Sequence, residues 1–462
     1  MYAGSVAWPY LVALALVALV VVPPVPRRVL VLCSVFAWRL LPVLGRKLRL
    51  VPRTYTTARA VRLAFEDLGP AYIKFGQMIA SSPTAFPKST IEEFGKCLDN
   101  VRPIPVARVW QILEDDLGQK PDVLFATIDP APLASASIAQ VHAGTLRGGA
   151  PVVIKVQRPG IRNRIEHDLA LMGVVARIAM AFNKHLRRAN LRGIVDDFRR
   201  TIREELNFVL EADNIEAFNR LLEREGLLHL ARAPRVYREL TTTRVLTMER
   251  FFGVRIDDKS GVDERVADVV DMLRATSEVF WSCVFLGGFF HGDIHAGNIM
   301  ILDDGRLGYL DFGIFGRFSD EHRGALADWV AALVSGNGEQ MARAIVAMGA
   351  VGDGIDWDDY VRDVTDAFLP LRALTVDKPE MLEQFFPKLL AMASKHDLNL
   401  PSAFVLILKQ LTYFGRYVMI HKPDFNENLD PKSQQTFVKI FIKLNAWRTS
   451  KGAAVIPIRP TG

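Results

Sequence analysis

Asp293, Asn298 and Asp311 carry the chemistry written most plainly in this chain. The first two lie five residues apart in the stretch HGDIHAGN (291–298), and the third opens DFG (311–313). Phosphoryl transfer needs hard oxygen donors to hold a divalent cation against phosphate oxygens, and a carboxylate to align or deprotonate the attacking hydroxyl. In that pattern Asp293 is the proton acceptor, while Asn298 and Asp311 hold Mg²⁺. His291 and His295 share the i, i+4 spacing of a zinc pair, but no third ligand set is nearby. Phosphoryl-transfer spacing accounts for all the polar positions together.

Such a site also needs a cation for the α and β phosphates of a nucleotide. Lys155 ends Val152-Val153-Ile154-Lys155, a β-branched run after the Gly148-Gly149 turn, and serves as that cation and second catalytic residue. The following segment, read as a helix over Arg203 to Phe218, offers Glu204, Glu205 and Glu211 as carboxylate partners. Ahead of the lysine, where a glycine-rich turn would let backbone approach phosphates, stand Ala134, Ser135, Ala136, Ser137, Ile138, Ala139 and Gln140. Their Cβ atoms restrict φ, so phosphate placement should differ from that in a glycine loop. Glu249 follows an alternating segment from Arg235 to Met248 and joins the candidate nucleotide-binding residues.

The elements that position these residues follow from periodicity. Thr56 to Met78 reads as two helices joined at Gly69-Pro70, and Val106 to Leu117 as a helix ending at Gly118. Pro130 to Val156 reads as antiparallel strands, and Ile161 to Glu225 as long helices. Ile299 to Leu302 and Leu307 to Leu310 flank Asp303-Asp304-Gly305 as a hairpin, and the chain beyond Asp320 is predominantly helical.

Half of the 462 residues are hydrophobic, and the formal charge of +6 is unevenly placed. No acidic residue precedes Glu66, residues 1–26 carry no charge, and Val12 to Val22 is an unbroken Ala/Leu/Val run. Arg27, Arg28, Arg39, Arg46, Lys47, Arg49 and Arg53 follow it. This pattern predicts a single N-terminal transmembrane helix with the remaining chain on the cytoplasmic side; an interfacial anchor is the alternative. The second apolar stretch, Val29 to Leu44, contains Arg39 and reads as lying on a membrane surface. At the other end, Phe437, Ile440, Phe441, Leu444 and Trp447 share a helical stripe among Lys439, Lys443 and Arg448, suiting either an anionic surface or a packed core. The basic excess lies beside apolar segments rather than exposed aromatics, which disfavours nucleic acid as a partner. Three widely spaced cysteines argue against a disulfide framework.

In type and order these motifs resemble the UbiB/ADCK (AarF-type) atypical kinase-like family, from about Leu68 to Asn426. Lys74-Phe75-Gly76-Gln77 is similar to that family's KxGQ signature, and the alanine-rich loop, Lys155, ELNFVLEADN (205–214), HGDIHAGN and DFG follow in family order. The resemblance implies an α+β, protein-kinase-like two-lobed fold with an N-terminal helical extension and a predominantly helical C-lobe. It implies ATP and Mg²⁺ as ligands, with Lys74 and Gln77 near the phosphates; Glu205 is read as facing Lys74 and Glu211 as the partner of Lys155, or the two exchanged. The chain departs from the family at Glu205-Leu206-Asn207, where an amide replaces the second carboxylate of the ExD motif. It departs again at Ser82 and Thr84 around Pro83.

The domains so delimited are a membrane-anchoring segment (1–55), the helical extension (56–128), an N-lobe with inserted helices (129–252), a helical C-lobe (253–430) and a basic amphipathic tail (431–462). The expected function is that of a membrane-associated ATPase or phosphotransferase supporting isoprenoid quinone or related lipid metabolism. Its partners would be a small-molecule or prenyl-lipid substrate and membrane lipids, with oligomeric state open, a homodimer included. Two other readings stand beside it: a small-molecule kinase of the aminoglycoside or choline type, and a nucleotide-binding, lipid-handling scaffold with vestigial catalysis.

Overall fold

A computed structural model describes residues 26–45, 55–80, 88–97, 102–182, 191–349, 355–372, seven positions between 388 and 398, and 402–451 without 428. The chain forms two compact units, one of Met1–Phe208 with Glu239–Thr247, the other of Val209–Arg238 with Met248–Gly462. The chain passes from one unit to the other at 208/209, 238/239 and 247/248. The helical extension shares a unit with the strands that follow it, and the helix bearing Glu211 goes with the C-terminal part.

In the first unit, Thr56 caps the helix Thr57–Leu68 by accepting from the Arg59 N–H, and Gly69 ends it at a φ of 98°. Pro70 then opens the next helix, Pro70–Ala80, at the position where its missing N–H costs nothing. Phe65, Leu68, Tyr72 and Ile79 bury against Ile165, Leu169 and Phe198 of the helices Ile161–Phe182 and Leu191–Glu205. The unit's sheet is antiparallel along Phe125–Ser135, Ala139–Leu146 and Pro151–Gln157, with Val245–Glu249 on its far edge. The Gly148-Gly149 turn sits where expected, with Gly149 at positive φ.

The helix expected over Arg203 to Phe218 is broken. The Leu206 carbonyl accepts from Gln157 Nε2 at 2.9 Å and Arg162 Nη2 at 2.7 Å, so side chains take the acceptor that would have continued the helix. Glu205 thus ends one helix, and Glu211 lies in the first turn of the next, Phe208–Glu225. Arg235 to Met248 is also less regular than alternation predicts, with a 3₁₀ turn at Arg238–Leu240 before the strand Val245–Glu249.

The N-terminal transmembrane expectation is corrected. No helix among the described residues is long and apolar enough to cross a membrane, and residues 1–25 lie outside the described residues. The helix Pro26–Gly45 contains Pro42 and is tied into the first unit. Arg28 pairs with the fully buried Asp168 at 2.6 Å and donates to the Leu68 carbonyl. Its outward stripe shows Leu30, Val31, Trp38 and Leu41.

The second unit is helical around short strands. Phe285, Phe290, Trp329, Tyr360, Phe368 and Phe404 fill its core. The hairpin Ile299–Leu302 with Leu307–Tyr309 forms as expected, flanked by Gly253–Arg255 and Ala231–Arg232. The C-terminal basic stripe resolves to packing: helix Pro431–Ser450 buries Ile440, Phe441 and Leu444 in this core. Its Arg448 is buried beside Asp328, and Lys443 pairs with Glu225.

Candidate functional site

The first unit holds the cationic half of the expected set. Lys155 lies mid-strand opposite Val141, its ammonium 5.2 Å from the centre of the Phe208 ring. Lys74 pairs with Glu205 at 3.2 Å, as the resemblance implies, with side chains only 23% and 13% exposed. Partial desolvation strengthens the attraction within this pair and costs both ions hydration, so its net contribution stays near that of a surface contact. Gln77 lies one turn along the same helix, half-buried like Lys74. Gly76 between them is required by packing, since a Cβ there would stand 2.9 Å from both the Cys97 sulfur and the Phe94 ring.

The alanine-rich loop is a tight turn between two strands. The Ala136 N–H donates to Ala139 O, while Arg158 donates to the Ala136 carbonyl and the Ser135 hydroxyl, each at 2.8 Å. No residue of this turn has positive φ, so the conformation asks for no glycine. Ser137, Ile138, Ala139 and Gln140 are buried, leaving Ala134 exposed and Ser135 and Ala136 half-buried. Gln140 faces inward, accepting from the Ile104 N–H and bonding His142.

The second unit holds the acidic half. His291 is buried; its Nε2 donates to the Leu310 carbonyl at 2.8 Å, which leaves Nδ1 to accept from the Asp293 N–H. Both ring nitrogens are committed to the loop, so this histidine joins HGD to the strand before DFG instead of ligating zinc. Asn298 Nδ2 donates to the Asp293 carbonyl at 2.9 Å, turning its amide oxygen into the end that can meet a cation. Asp311 is exposed and is the one non-glycine at positive φ among the described residues, at 49°. Backbone in that region is strained by roughly 1–2 kcal/mol for most residues, less for Asp, and such strain concentrates at working loops.

Phe312 behind it is fully buried, edge-to-face with Phe218 and His291. Asn214 donates to the Phe312 carbonyl and accepts from Arg317, so the helix that carries the buried Glu211 also fixes DFG. Glu249, from the candidate set, spends its carboxylate on Arg232 and on the Arg235 N–H.

Sequence reasoning gave the helix Ser402–His421 no part in the site. Its Gln410 is fully buried and brackets the HGDIHAGN loop, accepting from the Ile294 N–H and donating to the Gly292 carbonyl. Tyr417 donates to the Ile294 carbonyl, and Lys409 reaches Asp293 Oδ1 at 3.1 Å. The only sequence signal was a Lys-Gln pair inside an otherwise apolar stretch, which has no spacing rule to connect it to a loop 116 residues earlier.

Burial pushes the His291 imidazole below its ordinary range, against the opposing pull of its bond to Leu310 and of nearby carboxylates. The native chain therefore refuses a proton that the unfolded chain accepts. Stability from this group is complete above the ordinary value of about 6.5 and declines as pH falls below it. Thermal unfolding should show Tm dropping between about pH 7 and 5, with a shallower drop in His291→Gln; equal slopes would contradict the assignment.

A profile of the ABC1 atypical kinase-like domain matches residues 96–345. An uncharacterized aarF domain-containing protein kinase, chloroplastic, from Arabidopsis thaliana is 37% identical over 389 residues, covering 79% of this chain and 72% of the relative. A probable protein kinase UbiB from Pseudomonas aeruginosa is 31% identical, covering 84% of this chain and 72% of its own length. Among solved structures, Rv3197 from Mycobacterium tuberculosis, in complex with erythromycin, aligns at a TM-score of 0.51 and 21% identity over 77% of this chain and 89% of that one. That last likeness bears on the fold alone.

Proposed function

Because this chain belongs to the ABC1 atypical kinase-like family, we propose that it is an ATP-dependent enzyme, hydrolysing ATP or transferring its γ-phosphoryl group to a small or prenyl-lipid-like acceptor. The observation that carries this reading is the loop pair itself. Asn298 is pinned to Asp293, and Asp311 is held in a strained backbone well by buried Phe312. A scaffold that only bound a nucleotide would use Asn298 and Asp311 for the cation but would have no use for a proton acceptor at Asp293.

Asn298 and Asp311 would hold Mg²⁺; two hard oxygen donors suit an ion that keeps most of its shell for water and phosphate. When bound, the ion neutralises charge on the phosphates. Asp293 accepts the proton of the attacking hydroxyl. Lys155 serves the α and β phosphates. Lys74, held by Glu205, supplies positive charge in place of the backbone amides of a glycine loop. A role in isoprenoid quinone or related lipid metabolism is the finer form of the proposal, resting on the family resemblance. Contact with membrane lipids belongs to the same form; the stripe Leu30, Val31, Trp38 and Leu41 supports it as contact at a surface, not a crossing.

Lys74→Ala tests the substitute for the glycine loop. It should change KM for ATP or ATP-over-GTP preference by about tenfold, the size of one charge-assisted phosphate contact. Tm should stay close to wild type, because in this partly covered ion pair desolvation offsets most of the attraction, leaving about 1 kcal/mol. Unchanged nucleotide kinetics would remove Lys74 from the site.

A further inference from the structure

Lys409 lies beyond the matched domain and outside every motif that pointed to the site, yet its ammonium stands 3.1 Å from Asp293 Oδ1. Its placement is built. Gln410, the next residue, bonds both Gly292 and Ile294, and Tyr417 two turns on bonds Ile294, so this helix and the catalytic loop are one rigid piece. The Tyr413 ring lies 5.6 Å from the ammonium, and His295 Nε2 lies 3.6 Å from the other Asp293 oxygen.

A structural ion pair is a poor account of this contact. Both side chains are about one-fifth exposed, where desolvation of the two ions offsets most of their attraction and leaves a net contribution of about 1 kcal/mol. The arrangement makes chemical sense if the ammonium has a second acceptor during turnover. The attacking oxygen must lie within hydrogen-bond reach of Asp293, and the phosphoryl group it attacks lies just beyond, carrying charge on its equatorial oxygens. A lysine beside Asp293 sets a compact cation where that charge can meet it.

Resting on the phosphoryl-transfer reading above, we propose that Lys409 is a catalytic residue that holds Asp293 in the resting enzyme and donates to a non-bridging oxygen of the phosphoryl group in transit. In that step the hydroxyl oxygen of water or acceptor forms the new bond to phosphorus. The bond from phosphorus to the β–γ bridging oxygen breaks, and its electron pair leaves on ADP. The hydroxyl proton passes to Asp293, and Lys409 remains protonated throughout.

The experiment compares wild type, Lys409→Met, Lys409→Gln and Lys409→Arg in ATP turnover and in binding of a fluorescent ADP with and without aluminium fluoride, a mimic of the phosphoryl group in transit. Both neutral variants should lose about 10²-fold in kcat with KM for ATP within about threefold, as for removal of one transition-state donor. They should bind ADP alone like wild type but fail to form the tight aluminium fluoride complex, and Lys409→Arg should recover most of both. Wild-type aluminium fluoride trapping by either neutral variant overturns the role of Lys409 while leaving the phosphoryl-transfer reading intact. Equal loss of ADP binding alone overturns it too, marking Lys409 as structural. A wild-type chain that neither turns over nor traps overturns both.

Discussion

Asp293→Asn is expected to lower kcat for ATP turnover by about 10²–10⁴-fold, the range for removing a general base, with KM for ATP little changed. The substitution keeps the shape of the side chain and leaves the backbone bonds from His291 and Asn298 to residue 293 in place. It also removes the partner of Lys409, but that pair is partly exposed and its loss costs at most about 1 kcal/mol. The expected kinetic loss corresponds to roughly 3–5 kcal/mol of barrier. Tm measured beside kcat separates the two effects: a large fall in rate with a small shift in Tm identifies Asp293 as chemistry. A fall in rate matched by unfolding would not.

Asp311→Asn should abolish Mg²⁺-dependent nucleotide binding, and Asp311→Ala should do so with an added loss of stability. Asn tolerates the left-handed region that this residue occupies, so its variant isolates the carboxylate charge. Ala does not, and should cost a further 1–2 kcal/mol or so of folding free energy. Titration of a fluorescent ATP analogue, with Mg²⁺ and with excess chelator, reads the first effect. Wild-type affinity that is insensitive to Mg²⁺ loss, or an Asn variant that still gains affinity from the ion, would take the cation away from Asp311.

What could be read ahead of the structure was local. The family is legible in motifs such as HGDIHAGN and DFG, spaced over some twenty residues, and the Gly69-Pro70 junction, the Gly118 stop and the hairpin at Asp303-Asp304-Gly305 rest on one or two residues with distinctive backbone preferences. The pairing of Lys74 with Glu205 is a longer connection, and it was reached through the family resemblance, not through periodicity.

What could not be read was decided by partners remote in sequence. The break at Leu206 depends on Gln157 and Arg162, whose side chains compete for one carbonyl. The basic stripe of Pro431–Ser450 looked as fit for a membrane as for a core, because periodicity fixes which face is apolar but not what covers it. The tie from Arg28 to Asp168 shows a helix at the edge of the apolar N-terminal region committed to the packed first unit. Lys409 and Gln410 are the sharpest case: two polar residues in an apolar helix whose purpose is a loop far upstream.

Phosphate release from ATP by the purified wild-type chain, measured with and without Mg²⁺ beside Asp293→Asn, tests the assignment of phosphoryl-transfer chemistry most directly. The account predicts release that requires Mg²⁺ and falls by at least about 10²-fold in the variant. Release that is absent in wild type, or equal in wild type and Asp293→Asn, would contradict it.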